Sequence, residues 1–346
     1  MKSAVLHSIG DIRYEDSPTP EPSAGEALIR IKASGVCGSD VPRVMKKGTY
    51  TFPLIPGHEF AGEIASFGDE SITDLKVGDK VAVFPLIPCG KCIYCQIGEY
   101  AQCDDYDYLG SRRDGGFAEY VVAPIENLIP VPDGVDFECS AMTEPASVAL
   151  HAIRRTGVDA GDNVAILGAG TIGIILALWA RICGAGRVFI IDIVPEKLKV
   201  AMDYGFTDCI NSNEQDPVES IFKETKKGAD ITIEAAGTPI TFEQSLRMTR
   251  KLGKVTLMGN VSGDVVIPER TASHILRSQL TIYGTWNSSI SSVPKNEWDT
   301  SLKFMNSGAL NLKPLITHRF QLSEVNKAFD MMSNRREFFN KVMFVM

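Results

Sequence analysis

The sequence predicts an α/β protein in which a mainly β part is followed by a doubly wound parallel sheet. From Lys2 to about Val131, short β-type runs such as ALIRIKASGV and DKVAVFPLIP are separated by Gly and Pro. From Thr143, apolar strands and helices alternate, as in NVAILGAG, TIGIILALWARICGAG and RVFIIDI. This alternation is typical of a parallel sheet with helices on both faces. After Gly284 the pattern is mixed and ends in the strand-like run KVMFVM.

The composition is that of a globular protein with about two domains. The chain has 346 residues, of which 44% are hydrophobic and 23% charged, and a domain usually takes roughly 150 residues. The longest strongly apolar run, Ile172 to Ala180, is far shorter than the roughly 20 residues of a membrane helix. The first residues lack the apolar stretch of a signal peptide. We therefore expect a cytoplasmic protein without a membrane partner.

The net charge argues against nucleic acid as a partner. The chain has 35 Lys and Arg against 43 Asp and Glu, which gives a net charge of −8. Such a field repels polyanions, including nucleic acids and anionic membrane surfaces. A small molecule is the expected partner, and a local basic patch could still bind a small phosphate.

Four closely spaced cysteines predict a structural zinc site. They are Cys89, Cys92, Cys95 and Cys103, in the spacing C-x2-C-x2-C-x7-C. Four thiolates on one loop can surround a tetrahedral zinc ion and leave no open position. A [4Fe-4S] cluster and a redox dithiol are the alternatives. Asp104 follows the last cysteine where the bacterial cluster run has Pro, and three close cysteines exceed what a redox pair needs. Zinc is therefore favoured.

The cysteines after this run have no metal-ligand spacing. Cys139, Cys183 and Cys209 lie in apolar or helical contexts. We expect them to be buried as small hydrophobic residues.

A second set of residues predicts an open metal site. Cys37 ends a β-type run, His58 and Glu59 follow a Pro-Gly turn, and Glu144 opens the wound half of the chain. Each is a weak signal alone. Together they could give zinc three protein ligands and leave a fourth position for water or substrate, which is the arrangement of a catalytic zinc.

A glycine fingerprint predicts a dinucleotide site. Gly168, Gly170 and Gly173 form G-x-G-x-x-G between an apolar strand and an apolar helix that begins near Thr171 and Ile172. The glycines allow a tight turn and close approach to a pyrophosphate at the helix N-terminus.

The acidic residue after the fingerprint predicts which dinucleotide binds. Asp192 ends the next strand a little over 20 residues later. Its carboxylate would accept hydrogen bonds from the ribose and repel a 2′-phosphate, so NAD is favoured over NADP. Lys197 is close enough in sequence to contribute, although a lysine at such a position is more often an exposed helix residue.

The motifs together resemble one known family. The runs, in chain order, are Cys37-Gly38-Ser39-Asp40, Gly57-His58-Glu59-x2-Gly62-x5-Gly68, Val77-Gly78-Asp79-Lys80-Val81, the four cysteines and the glycine fingerprint. In this combination they resemble the zinc-dependent medium-chain dehydrogenase family. The resemblance implies a GroES-like mainly β catalytic domain at 1–143 with a zinc lobe at about 85–108. It also implies a Rossmann domain at 144–285 and a return segment at 286–346 that completes the catalytic domain.

The resemblance also implies a ligand set for the catalytic zinc. By this resemblance, the catalytic zinc would be bound by Cys37, His58 and Glu144. Glu59 would lie nearby and would either bind the zinc through water or move onto the metal. Glutamate rather than cysteine at position 144 resembles the polyol dehydrogenase branch. Cys139 is a possible substitute ligand, although nothing favours it. About two zinc ions per chain are expected, one catalytic and one structural.

The same resemblance suggests a substrate and a proton acceptor. CGSDVPRV and GSRRDGGFAEYVV are most similar to dehydrogenases of galactitol 1-phosphate. In this family Ser39 would accept the alcohol proton, but Pro42 stands where many relatives have a His that relays it onward. The basic residues that could meet a substrate phosphate are Arg43, Lys46, Lys47, Arg112 and Arg113.

The sequence therefore predicts a zinc-dependent, NAD-linked enzyme that oxidises a secondary alcohol of a polyol phosphate. An unphosphorylated polyol such as sorbitol, or threonine, is the alternative substrate. A non-catalytic zinc and dinucleotide-binding redox sensor has no use for the open metal site, and a zinc-free reductase has no use for either set of metal ligands. A homodimer or homotetramer is expected from the resemblance.

Overall fold

The computed structural model describes residues 1–69, 73–293 and 296–346. It divides into two compact units, the first comprising residues 1–147 and 289–346 and the second residues 148–288. These boundaries fall a few residues after those expected from the sequence, because the helix Thr143–Thr156 begins in the first unit.

Both units contain β-sheet, and their strands lie in the described part of the chain. In chain order they are β1 (Lys2–Ser8), β2 (Asp11–Asp16), β3 (Glu26–Val36), β4 (Glu59–Phe67), β5 (Lys80–Val83), β6 (Leu86–Ile87), β7 (Asp107–Tyr108), β8 (Tyr120–Pro124), β9 (Leu128–Pro130), β10 (Asn163–Leu167), β11 (Arg187–Asp192), β12 (Asp208–Asn211), β13 (Ala229–Glu234), β14 (Thr249–Leu257), β15 (Thr281–Gly284), β16 (Ile316–Phe320) and β17 (Lys341–Val345).

The α-helices before Thr143 are short, and those from Thr143 onwards have nine residues or more. In chain order they are α1 (Asp40–Pro42), followed by a π-helical turn (Arg43–Lys47), then α2 (Ile93–Gln96), α3 (Phe137–Ala141), α4 (Thr143–Thr156), α5 (Thr171–Ile182), α6 (Pro195–Asp203), α7 (Pro217–Thr225), α8 (Pro239–Met248), α9 (Glu269–Ser278), α10 (Glu297–Asn306) and α11 (Val325–Asn334). Among the described residues, no helix is long and apolar enough to cross a membrane.

The second unit is a doubly wound parallel sheet, as predicted. Its six strands lie in the order β12-β11-β10-β13-β14-β15, and every neighbouring pair is parallel. Residues Val164 to Leu167 of β10 are fully buried, because helices cover both faces of such a sheet. The strand order reverses between β10 and β13, and the carboxyl ends of strands beside such a reversal are where these folds bind ligands.

The first unit is built on a seven-stranded, mainly antiparallel sheet. Its order is β16-β17-β3-β4-β5-β9, with β8 also paired to β3. The long strand β3 lies between β17 and β4, so that Val36 is opposite Val342 and Gly35 is opposite Glu59. This pairing places the start of the last strand beside the residues around Cys37 and His58. The predicted mainly β domain is confirmed.

Candidate active site

Three of the predicted metal ligands converge in the first unit. Cys37 follows β3, His58 precedes β4 and Glu59 begins β4. Because β3 and β4 are antiparallel, these residues lie at the same end of the strand pair. One ligand atom from each lies within 4.8 Å of the others. A sulfur, a nitrogen and an oxygen donor therefore surround one point, as zinc requires.

Glycines fix the turn that presents His58. Gly57 has a φ of +96°, and a Cβ there would lie 2.5 Å from the ring of Phe117. The Gly57 carbonyl accepts a hydrogen bond from the N–H of Gly116 at 2.8 Å. A Cβ at Gly115 would lie 2.1 Å from that carbonyl oxygen. The run GSRRDGGF thus packs closely against the turn that bears His58, and its glycines are needed for that packing.

Asp40 orients His58 and was not identified from the sequence. Its side chain is fully buried; Oδ2 accepts from the N–H of Cys37 at 3.0 Å, and Oδ1 lies 3.3 Å from His58 Nδ1 and 2.5 Å from Arg43. Burial raises the pKa of Asp40, but His58 and Arg43 outweigh it and hold the pKa below its ordinary value. The geometry at Nδ1 is not that of a hydrogen bond, but a carboxylate beside Nδ1 favours Nε2 as the metal-binding nitrogen. In the sequence, Asp40 is the last residue of the CGSD run, and this position is the only indication of its role.

Lys341 is a second site residue that sequence reasoning missed. Its Nζ donates to Glu59 Oε2 at 2.5 Å and to the Val36 carbonyl at 3.3 Å. Burial lowers the pKa of Lys341, but the charges of Glu59 and Cys37 outweigh this effect and raise it, so the side chain is a cation. Glu59 lies against Gly35, where a Cβ would be 2.4 Å from Oε2. Position 35 therefore has to be glycine for Glu59 to occupy this place.

Glu144 lies close to this set but is not one of the three converging ligands. It is 7% exposed, in the first turn of α4. Burial raises its pKa to about 7; the charge of His58 opposes this rise and that of Glu59 adds to it. The sequence placed Glu144 on the metal with Glu59 nearby, whereas the structure groups Glu59 with Cys37 and His58. Cys139, the substitute considered, is not in that group.

The charge balance of the described residues fits a bound zinc ion. Asp40, Glu59 and Glu144 are buried carboxylates; His58 has to be neutral to bind a metal, and the other cations paired with these carboxylates are Arg43 and Lys341. Burying a carboxylate without a cation is costly, which is why Glu144 is driven towards its neutral form. A divalent cation held by Cys37, His58 and a carboxylate would correct that imbalance, and this mixed donor set is one that zinc accepts.

The four cysteines of the lobe also converge. Sγ of Cys95 lies 3.5 Å from that of Cys92 and 4.0 Å from that of Cys89, and Cys103 Sγ accepts from the N–H of Cys89 at 3.2 Å. All four sulfur atoms lie within 4.8 Å of one another. A tetrahedron with Zn–S distances of about 2.3 Å has sulfur atoms about 3.8 Å apart. The lobe therefore fits a single zinc ion.

Backbone donors prepare the lobe for thiolate ligands. The N–H groups of Lys91 and Cys92 lower the pKa of Cys89, and those of Asp104 and Cys95 lower the pKa of Cys92 to about 6. Burial raises the pKa of Cys95 to about 12. A metal ion supplies the positive charge that keeps such a buried sulfur ionised.

The remaining cysteines differ from the expectation in one case. Cys139 and Cys209 are half-buried, but Cys183 is exposed, so its predicted burial is wrong. Cys183 follows the last residue of α5, where the helix ends at the surface. The apolar face of α5 stops one turn earlier.

The glycine fingerprint forms the predicted turn between β10 and α5. Gly168 has a φ of +102°, and a Cβ at Gly173 would lie 1.7 Å from the Gly168 carbonyl oxygen. A Cβ at Gly170 would meet no described atom within 4 Å. The fold thus requires glycine at positions 168 and 173. Gly170 instead keeps open the space in front of Thr171 and Ile172 at the start of α5. Open space before a helix N-terminus is where a pyrophosphate binds.

Asp192 is fixed at the end of the neighbouring strand. Its Oδ2 accepts from the N–H of Ala169 at 2.7 Å, and its Oδ1 accepts from the N–H of Val194 at 3.0 Å. Lys197 Nζ is 3.9 Å from Oδ2. The carboxylate is therefore hydrogen-bonded directly to the glycine turn, at the end of β11 where a ribose-binding acid is expected.

Comparison with known proteins identifies the family. Residues 23–133 match the family model described as alcohol dehydrogenase GroES-like domain, and residues 171–307 match that described as zinc-binding dehydrogenase. Galactitol 1-phosphate 5-dehydrogenase of Escherichia coli (strain K12) is 38% identical over 322 residues, which cover 92% of each chain. The chain belongs to the zinc-binding dehydrogenase family.

Other members of the zinc-binding dehydrogenase family agree in fold and class. Sorbitol dehydrogenase of Bacillus subtilis (strain 168) is 34% identical and covers 100% of this chain and 96% of its own. The crystal structure of galactitol-1-phosphate dehydrogenase from Escherichia coli superposes with a TM-score of 0.94 at 36% identity, over the whole of both chains. The predicted GroES-like and Rossmann domains are confirmed, and the protein is a zinc-dependent dehydrogenase of the alcohol and polyol group.

Ser39 lies beside the converging set of Cys37, His58 and Glu59. Its hydroxyl donates to Cys37 Sγ at 3.2 Å. Metal binding at the sulfur would compete with that hydrogen bond, which would free the hydroxyl to turn towards a substrate oxygen.

The basic residues proposed to meet a phosphate differ in their surroundings. Arg43 is paired with Asp40, and Arg113 lies 3.4 Å from Asp107 and 3.8 Å from Glu26. Lys46 and Lys47 are exposed.

Arg112 is held differently, by two aromatic rings. Its guanidinium lies 4.1 Å from the Tyr106 ring centroid and 4.8 Å from that of Tyr50, and it donates to the Tyr106 carbonyl at 2.6 Å. Stacking of this kind fixes a guanidinium and leaves its charge uncompensated.

Proposed function

We propose that this zinc-binding dehydrogenase transfers hydride to NAD from a secondary alcohol of a polyol phosphate resembling galactitol 1-phosphate. The observation that carries the reaction class is the convergence of Cys37, His58 and Glu59 beside Ser39. The similarity to galactitol 1-phosphate 5-dehydrogenase supports the substrate class.

The chain's own residues would hold and orient the reacting groups. Zinc, when bound by Cys37, His58 and a carboxylate, supplies Lewis acidity towards the substrate oxygen. Asp40 keeps His58 in the tautomer that binds through Nε2. Ser39 would take the proton of the substrate hydroxyl. Because Pro42 replaces the relay His of many relatives, an ordered water or the ribose of the dinucleotide would accept that proton next.

NAD would be bound at the turn between β10 and α5. The start of α5 would hold the pyrophosphate and Asp192 the ribose hydroxyls. NAD is preferred over NADP in this proposal because the Asp192 carboxylate would repel a 2′-phosphate.

Asp192→Asn is expected to raise the KM for NAD and to narrow or reverse the preference over NADP. The substitution removes the negative charge and weakens the ribose acceptor, while the amide keeps the shape and one oxygen for the backbone N–H groups. Initial rates with the two coenzymes at equal substrate concentration measure the effect. If the variant keeps the parental coenzyme ratio, Asp192 does not select the coenzyme.

Arg112 is the best candidate for the phosphate among the five basic residues. Its aromatic stack adjoins the catalytic set, since the rings of Tyr106 and Tyr108 are 6.4 Å apart and those of Tyr108 and His58 are 5.8 Å apart. It has no carboxylate within ion-pair distance among the described residues. A fixed, uncompensated guanidinium suits a phosphate better than the already paired Arg43 or Arg113.

Arg112→Gln is expected to lower kcat/KM for galactitol 1-phosphate by roughly ten- to a hundredfold, the equivalent of a charge-assisted hydrogen bond of about 1.5–3 kcal/mol. Activity on free galactitol should change little, because the metal set and Ser39 are untouched. Arg113→Gln is the matched control, since Arg113 is already paired with two carboxylates. Equal losses on both substrates would show that Arg112 is structural.

An unphosphorylated polyol is the second candidate substrate. The relative from Bacillus subtilis is named a sorbitol dehydrogenase, and four of the five candidate cations are either paired with carboxylates or exposed to water. Initial rates with NAD on galactitol 1-phosphate, sorbitol 6-phosphate, galactitol, sorbitol and threonine separate the substrates. A parent enzyme that prefers free sorbitol would overturn the phosphate proposal and leave the reaction class intact.

The proposal includes assembly into a homodimer or homotetramer. Strand β15 lies at one end of the six-stranded sheet, and its Ile282 is 42% exposed. An apolar edge strand is a surface on which a second copy can pair.

A further inference from the structure

Lys341 is a fully buried cation that has no role in the mechanism proposed above. It is the first residue of β17, and its side chain is 4% exposed, while that of its partner Glu59 is 2% exposed. Removing an ammonium group from water is costly, and an ion pair recovers that cost only when its geometry and additional hydrogen bonds are good. Here the same ammonium also donates to the Val36 carbonyl, one residue before Cys37.

This arrangement restricts the Glu59 carboxylate. Oε2 is held by Lys341, and Gly35 lies directly beneath it, at a position where even a Cβ would be 2.4 Å away. Oε1 is therefore the oxygen left for an ion at the converging set. Lys341 also links the segment that bears Cys37 to the strand that bears Glu59.

We propose that Lys341 is a positioning residue that shares the Glu59 carboxylate with the catalytic zinc and thereby limits how tightly the site holds the ion. The inference rests on the proposed function in assigning the converging set to a catalytic zinc. A cation one hydrogen bond from a metal ligand repels a divalent ion and competes with it for the carboxylate. With His58 neutral as a zinc ligand and Lys341 removed, Arg43 would be the remaining cation paired with the buried carboxylates Asp40, Glu59 and Glu144 among the described residues.

The test is the rate at which the full-length holoenzyme releases zinc to a colorimetric chelator, measured without substrate or coenzyme. We expect Lys341→Met to release the catalytic zinc about tenfold more slowly than the parent. By linkage, the thermal midpoint of the variant stripped of that zinc should fall below that of the stripped parent, and added zinc should close the gap. Lys341→Arg, which keeps the charge, should restore the parental release rate.

Two further variants make the result unambiguous. Lys80→Met removes a lysine that donates to the Val135 carbonyl in the same unit, and it should release zinc at the parental rate. Lys341→Gln removes the charge with a polar side chain and should also slow release, which keeps the test available if the Met variant does not fold. A buried residue with only a structural role would speed zinc loss when replaced. Release from Lys341→Met and Lys341→Gln at or above the parental rate would therefore overturn the proposal.

Substrate choice does not enter this measurement, so an error in the proposed polyol would leave the result unaffected. A parent that contains only the lobe zinc would overturn the catalytic zinc assignment together with this inference.

Discussion

Glu59→Gln is expected to reduce the zinc content from about two ions per chain to about one and to lower kcat by roughly a thousandfold or more. The amide is a poorer zinc ligand than the carboxylate, and it leaves Lys341 buried without its counter-ion. Metal content of the purified protein and steady-state NAD reduction measure the two effects. Added zinc at high concentration should restore part of the activity.

Glu144→Gln is the matched comparison, because it removes a second buried carboxylate at the same site. The structure groups Glu59, and not Glu144, with Cys37 and His58. We therefore expect Glu144→Gln to weaken zinc binding by about ten- to a hundredfold, as changes beside a metal site usually do, and to cost less turnover than Glu59→Gln. The reverse order, with the greater zinc loss in Glu144→Gln, would assign Glu144 as the third ligand.

Glu59 and Glu144 show which features of a metal site can be predicted from the sequence and which cannot. The motif predicts Cys37 and His58 as ligands, since the turn chemistry and donor types are local, and the structure brings the two side chains together. The choice between Glu59 and Glu144 depends on side-chain placement across different elements. Glu59 is directed by Gly35 on the neighbouring strand and by Lys341 at the far end of the chain, and neither effect is visible in the spacing.

Lys341 illustrates the limit most clearly. The sequence shows a lysine at the start of a terminal strand, where an exposed position is the ordinary expectation. Pairing of β17 with β3 buries it beside Val36 instead. The contact of Lys341 with Glu59 joins residues 282 positions apart, so that only the sheet order reveals it. The repeating βα units of the second domain, by contrast, are set by local periodicity, and their alternation was predicted, although β12, α7, α9 and β15 were not singled out.

The surroundings of the basic residues also depend on contacts that the sequence does not show. Arg112 and Arg113 are adjacent and equivalent in the sequence, yet one is stacked between two tyrosines and the other is paired with two carboxylates. The different surroundings of the two arginines are set by Tyr50, Tyr106 and Glu26, which come from separate segments.

Cys95→Ser is expected to damage folding rather than chemistry. Cys95 is 7% exposed and its sulfur lies 3.5–4.0 Å from those of Cys92 and Cys89. Losing one of four ligands opens the lobe, and the binding energy of a structural zinc is part of the folding energy. A loss of several kcal/mol in a domain of this size corresponds to a fall in the thermal midpoint of about 10 °C or more.

The measurements are soluble yield, thermal midpoint and zinc content, compared with those of Cys183→Ser. Cys183 is exposed and outside both metal sets, so the same chemical change there should leave all three quantities at parental values. Any Cys95→Ser protein that remains folded should keep the catalytic zinc, because Cys37, His58 and Glu59 belong to a different cluster. The structural assignment of the lobe would be contradicted by a variant with parental stability and full zinc content that had lost only its turnover, since that pattern belongs to a ligand of the reacting metal.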